Sequence, residues 1–214
     1  MKTILFTIIF SLVFLPAFAQ KPTHQIGLTT SLIEDYKSYN IAEYYLRDIS
    51  TNILYGVQYK AHYKAFSLRS SIGVAHNSIN YISPEGNTYQ STEKGYRNAL
   101  EGTLGIEKRL GSKKLRPYFA EEVFFTQGNK KVDYNFSGCF GSGAGLANIK
   151  SQTFGLSSIL GVQYQINKYL GLHFEVALRF SQTRIDNGRG YSGGYNSFGL
   201  NPVQNFGINY TFKK

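Results

Sequence analysis

The chain has 214 residues, with 23 Lys and Arg against 13 Asp and Glu, a formal net charge of +10. A single cysteine, Cys139, rules out an internal disulfide and with it a disulfide-stapled scaffold. With 17 Tyr, 16 Phe and 22 Gly against 5 Pro, the composition favours many strands and glycine-containing turns over helix, and a chain of about 200 residues suits one domain.

The first stretch, "MKTILFTIIFSLVFLPAFAQ", carries Lys2, an apolar run from Ile4 to Leu15, and then Ala17-Phe18-Ala19. This pattern predicts a signal peptide over 1–19, cut after Ala19. The run is too short to cross ~30 Å of hydrocarbon at ~1.5 Å per helical residue. Gln20 follows the cut rather than Cys, which argues against a lipid-anchored N-terminus. The expected mature chain is therefore an exported single domain, 20–214.

From there the hydrophobic period is two. In "LGLHFEVALRFSQT", Leu170, Leu172, Phe174, Val176, Leu178 and Phe180 share one face and Gly171, His173, Glu175, Ala177, Arg179 and Ser181 the other. A strand separates these sets; a helix would mix them. "FGLSSILGVQYQI" behaves likewise. Eight such stretches are expected, at 24–34, 49–61, 66–79, 97–109, 116–127, 152–166, 170–183 and 198–212. Most exceed the ~5–6 residues usual in soluble sheets and suit tilted strands, which need ~9–11 residues in hydrocarbon.

The connections alternate in length. "HYKA", "LGSKKL" and "NKY" are short, whereas those after the first, third, fifth and seventh strands are long and polar. Short turns on one side and long loops on the other are the habit of outer-membrane barrels, with the short turns in the periplasm. The short turns, their flanks and the terminus hold Lys60, Lys64, Lys108, Arg109, Lys113, Lys114, Arg116, Lys168, Lys213 and Lys214, with Glu107 as the bordering acid. A basic rim against anionic headgroups is favourable, by about 1 kcal/mol per residue near the surface. An exported chain with its excess charge on barrel turns is no nucleic-acid binder.

The final stretch reads Asn205, Phe206, Gly207, Ile208, Asn209, Tyr210, Thr211, Phe212. It matches, position by position, a polar residue, any residue, Gly, two of any kind, a hydrophobic residue, any residue and a hydrophobic residue. With the alternating loops, this pattern resembles the small outer-membrane β-barrel proteins of the eight-stranded OmpA/OmpX type, the outer membrane protein beta-barrel domain or porin family. The resemblance covers the whole mature chain. It implies an all-β fold, an eight-stranded antiparallel up-and-down transmembrane β-barrel in the outer membrane, surrounded by outer-membrane lipids and monomeric. It implies that Asn205, Gly207, Tyr210 and Phe212 form a signal read by barrel-assembly machinery. Lys213 and Lys214 follow the last aromatic, where many members of the family stop.

Parity places Arg69, Glu101, Glu107, His173, Glu175 and Arg179 on the inner face. An eight-stranded barrel is just wide enough for side chains to fill, and unpaired buried charge is expensive. These residues are therefore expected to form a polar network that plugs the lumen; the alternative is a narrow porin-like path. Glu121 and Glu122 are adjacent, so either one faces lipid or a bulge turns both inward. A lipid-modifying barrel enzyme would need a Ser/His/acid set. His173 with Glu175 and Ser181 points inward, and His76, on the lipid side of the third strand, has no acidic neighbour, so no catalytic residue is assigned. Four scattered histidines, His24, His62, His76 and His173, and one cysteine give no metal-ligand spacing, and no cofactor is expected. An envelope structural or surface-interaction role remains, with the Tyr-, Asn-, Ser- and Gly-rich loops as the surface for an extracellular ligand.

Overall fold

The computed structural model describes residues 22–34, 38–41, 44–47, 51–82, 89–111, 114–138, 141–186 and 192–212. The expected signal peptide, Cys139 and Lys213–Lys214 lie outside them. Ten strands follow in chain order: β1 (Thr23–Glu34), β2 (Ser38–Ile41), β3 (Tyr44–Arg47), β4 (Thr51–His62), β5 (Ser67–Ile82), β6 (Tyr89–Arg109), β7 (Leu115–Gly138), β8 (Gly141–Gln165), β9 (Leu170–Asp186) and β10 (Ser192–Phe212).

Eight of these close a barrel in the order β1-β10-β9-β8-β7-β6-β5-β4, and β2 and β3 pair only with each other. Every ring neighbour is antiparallel, and β10 meets β1 from His24↔Phe212 to Thr30↔Phe206. The expected eight-stranded up-and-down barrel is what forms, and the first long connection adds a small hairpin to it rather than two more staves.

Strand lengths depart from expectation. The stretch expected as a loop from 128 to 151 is an extended ladder, from Gly128↔Ser151 to Gly138↔Gly141. β7 reaches 24 residues and β8 25, more than twice the ~9–11 a bilayer crossing needs. β6 and β10 begin before the expected 97 and 198. The wall is thus tall around β5–β10 and low at β1 and β4, where the β4–β5 ladder ends at Tyr55↔Val74. β10 is irregular between Asn201 and Asn205; Pro202 lies there and has no N–H to give a ladder.

Polarity is inverted relative to a soluble protein. The exposed large side chains are apolar: Leu28 is 70% exposed, Leu104 61%, Leu160 60% and Phe206 49%. Among the described residues, the buried apolar cluster is small, Ala120, Ile159 and Ala177. Along β9 the outward apolar residues run from Leu170 to Phe180. Ten steps of ~3.4 Å, projected through a tilt of ~40°, give a belt ~26 Å tall, close to the ~25 Å band of outer-membrane barrels.

Inside, bulky residues face glycines on the paired strand. Tyr118 lies opposite Gly161, Phe124 opposite Gly155 and Tyr134 opposite Gly145, and His173 lies opposite Gly207. A Cβ at Gly161 would meet the Tyr118 ring, and one at Gly155 the Phe124 ring. In a lumen this narrow, each large side chain needs a missing one beside it.

Candidate functional site

The lower lumen, next to the short turns, is organised around Arg69 on β5. Its exposure is 2%. Nη2 donates to both carboxylate oxygens of Glu175 at 2.9 Å, and Nε pairs with Glu122 Oε1 at 2.5 Å. Nη1 reaches Glu107 Oε2 at 3.5 Å. Lys60 donates to the same Glu107 oxygen at 2.5 Å, and its ammonium lies 4.7 Å from the centroid of the Tyr118 ring. The Tyr118 hydroxyl donates to Glu175 Oε1 at 2.5 Å. Five strands, β4, β5, β6, β7 and β9, therefore send a charged or phenolic group to one level of the lumen. A guanidinium is suited to this task because its fixed fork can serve several carboxylates at once.

Below this hub Arg109 approaches Glu107 Oε1 at 3.5 Å and packs against the ring nitrogens of His62. His62 also contacts Gln25 Oε1 at 2.9 Å. With the half-buried Arg109 included, three cations (Lys60, Arg69, Arg109) face three carboxylates (Glu107, Glu122, Glu175), and the hub with its lower neighbour sums to zero. Pairing of this kind offsets the cost of burying charge.

Above the hub the network thins. Arg179 donates to Glu101 Oε2 at 3.0 Å, Thr126 donates to the same oxygen at 2.8 Å, and the Arg179 guanidinium stacks 3.7 Å from the Phe124 centroid. Beyond that level is a cavity of about 760 Å³, lined by residues that include Gly128, Ser151, Thr183, Arg184, Gly193 and Tyr195. A second cavity, of about 650 Å³, lies at the short-turn mouth.

Of the six residues expected in the lumen, Arg69, Glu101, Glu107, His173 and Glu175 are buried and Arg179 is half-buried. The structure brings Arg69, Glu107 and Glu175 together and pairs Arg179 with Glu101, but it sets His173 apart, with Nδ1 2.9 Å from Asn209 Nδ2. Neither His173 nor Glu175 joins Ser181, whose hydroxyl instead meets Ser197 at 2.7 Å. His76 is outward, 2.5 Å from Asn98 Oδ1. Among the described residues no group of His, Cys, Asp and Glu is arranged to hold a metal.

Sequence reasoning missed Tyr118 and misplaced Lys60. Lys60 does not belong to the basic rim: it is 1% exposed, inside the barrel. Its parity carried the signal, since Tyr55, Val57 and Tyr59 are outward and Gly56, Gln58 and Lys60 alternate with them. The question over Glu121 and Glu122 is settled without a bulge. β7 keeps regular register on both sides, Glu122 is inward at 5% exposure, and Glu121 is outward, accepting from Ser158 Oγ at 2.9 and 3.0 Å. In the closing strand Asn205, Gly207 and Asn209 are inward, while Phe206, Ile208, Tyr210 and Phe212 are outward.

A closed, eight-stranded antiparallel barrel with an apolar belt outside and paired charges inside has the architecture of a small outer-membrane β-barrel. Among solved structures, the chain is similar to the outer membrane protein OprG from Pseudomonas aeruginosa, at 13% identity over 91% of this chain and 97% of that one, with a TM-score of 0.57. This likeness speaks for the fold. Looser superpositions are found with a major outer membrane protein from Thermus thermophilus (11% identity, 88% and 99% covered, TM-score 0.41) and with Ail, the attachment invasion locus protein of Yersinia pestis (13%, 89% and 97%, 0.40). No family model and no curated protein sequence matches the chain.

Proposed function

We propose that the protein is an integral outer-membrane barrel of one exported domain, 20–214. Its lumen is closed by the Arg69 hub, and its work lies in envelope structure or in contacts made by the tall wall above the membrane. The observation that carries this reading is the hub itself. Five strands meet at one level through ion pairs of 2.5–3.5 Å, and a filled lumen of this size leaves no wide path for solutes. The outward face of the tall wall supports the second half. Past the belt it turns polar at Gln127, Asn129, Lys131 and Asp133, of which Asn129 is half-buried and the others exposed, as a surface in water does. The last strand, with Phe206, Ile208, Tyr210 and Phe212 outward beside the β1 seam, presents the apolar row that barrel-assembly machinery would read. The protein works as a monomer, without cofactor or catalysis.

A narrow channel is the second reading, favoured by the cavities on either side of the hub. Single-channel recording on the refolded protein in planar bilayers separates the two. A closed barrel gives no steady conductance. A reproducible open level in the unmodified protein overturns the closed reading and makes the hub a constriction.

A further inference from the structure

The hub is built by β4–β7 with Glu175 of β9. Across the ring from β5 and β6, the arc β8–β9–β10–β1 and the adjoining β4 carry a different chemistry. Six side-chain atoms there are buried and have no hydrogen-bond partner among the described residues: Gln163 Oε1, His173 Nε2, Asn209 Oδ1, Gln58 Oε1, Asn205 Oδ1 and Ser157 Oγ. Five of these residues are 1% exposed and Asn205 is 6%.

They form a column rather than a knot. Gln163 lies on the wall of the short-turn cavity and shares a rung with His173. Asn209 Nδ2 donates to His173 Nδ1 at 2.9 Å, and on β1 only Gly27 separates Asn209 from Gln58. Asn205 follows higher on β10, on the rung of Glu175. Ser157 shares a rung with Arg179, whose Nε is likewise buried without a partner, and Arg179 shares one with Gly199. Gly199 faces inward, between the outward Phe198 and Leu200, and is exposed. A Cβ there would meet nothing within 4 Å, so the column ends in open lumen. From Gln163 up to Ser157 the column climbs ~16 Å, at ~3.4 Å per residue and a tilt of ~40°.

A buried polar atom left unmade costs more than an average hydrogen bond gains. A whole column of them would offset much of a domain's marginal stability. Their types say what meets them. The four carboxamide oxygens only accept. Because His173 Nδ1 accepts from Asn209, its Nε2 carries the proton, so that Nε2 and Arg179 Nε only donate. A metal ion would leave the N–H groups unserved, and an anion would leave the oxygens unserved. Water both donates and accepts, and a buried water typically makes ~3 bonds to groups of this kind.

We propose that this arc is hydrated and forms a file that passes water, but not ions, between the short-turn cavity and the open lumen above Arg179. The proposal rests on the preceding reading only for closure to ions, which the Arg69 hub provides. The file runs beside the hub along neutral side chains, which offer an ion no charge to replace its hydration shell.

The test is stopped-flow light scattering of phosphatidylcholine vesicles holding the refolded protein, shrunk by an outward osmotic gradient of sucrose. The protein should speed shrinkage relative to protein-free vesicles, with a weaker temperature dependence than the bare bilayer. Gln58→Met with Asn205→Leu removes two of the oxygens at nearly constant volume and should return shrinkage to the protein-free rate. Heat-modifiable gel mobility shows whether that variant is folded. If it is not, Gln163→Met, at the cavity wall, takes its place. Shrinkage no faster than in protein-free vesicles, or unchanged in a folded variant, overturns the proposal. Ion conductance, recorded separately in planar bilayers, keeps the two readings apart. Without conductance and without water flux this proposal alone fails, whereas a steady conductance with flux that survives the variants puts the path through the hub and overturns both.

Discussion

Glu121 and Glu122 are chain neighbours with opposite surroundings, and the contrast between them is the contrast between the two faces of the barrel. Glu122 points into the lumen, is 5% exposed and meets Arg69 at 2.5 Å. Glu121 points outward from the apolar belt, flanked along β7 by Phe119 and Val123, and has the Ser158 hydroxyl as its partner. Across one wall, charge is concentrated where it can be paired and thinned out where it cannot. The interior of this protein is its polar region, and its specificity of packing comes from ion pairs and ring-on-glycine contacts rather than from an apolar core.

The sharpest way to break the inner face is to remove its hub. Arg69→Leu leaves Glu107, Glu122 and Glu175 facing Lys60 and Arg109, and breaking one partner of a buried pair costs ~3–5 kcal/mol. Urea unfolding of the refolded barrel should show a loss of that size, and the folded gel band should disappear at a lower temperature. Arg69→Lys should recover only part of it, because an ammonium is a point charge and cannot reach three carboxylates. Unfolding midpoints equal to those of the unmodified protein would mean that the hub is not what holds the lower lumen together.

A smaller loss is expected from the packing rule. Gly161→Val places a branched side chain against the Tyr118 ring, and overpacking of this kind costs ~1–3 kcal/mol. The ring cannot stay in place to donate to Glu175, so the effect reaches the hub through Tyr118. Gly102, where an added Cβ meets nothing within 4 Å, is the control: Gly102→Ala should unfold at nearly the unmodified concentration of urea. Equal losses at both positions would attribute the effect to strand glycine in general rather than to the ring.

These contrasts also explain what was legible in the sequence. Inside the bilayer the outward face must be apolar and the inward face polar, so period two is written plainly from Leu170 to Phe180. Above the belt the outward face turns polar while the inward face keeps residues such as Gly128 and Val132, buried inside the wall. Gln127, Asn129, Lys131 and Asp133 alternate with Gly128, Lys130 and Val132, the period disappears, and 24 residues of β7 look like a strand followed by a loop. Parity indicated which residues face the lumen, but not which of them share a level. Level depends on how far each strand is staggered against the next as the ring closes, so the meeting of Arg69 with Glu175, 106 positions away in sequence, was not readable. Lys60 was misplaced because its nearness to a turn was weighed above its parity.

The outer face offers the smallest effect and the opposite sign. Glu121 pairs with Ile106 on β6, with Leu115, Pro117 and Phe119 outward on its short-turn side and Val123 and Phe125 on the other, so it lies within the apolar belt. Charged groups on the lipid face are costly at the midplane and nearly free at the interface, with carboxylates below lysine and arginine throughout. Glu121→Leu should therefore stabilise the barrel, by less than the ~2–4 kcal/mol that a lysine or arginine costs at the midplane, and Glu121→Leu with Ser158→Ala should retain the gain, because the hydroxyl has then lost its partner. Chemical unfolding in vesicles of phosphatidylcholine reads this directly. Destabilisation on removing Glu121 would place that carboxylate in water or in a contact with another molecule, and the lower limit of the apolar belt would have to move up β7 from Leu115 to Val123.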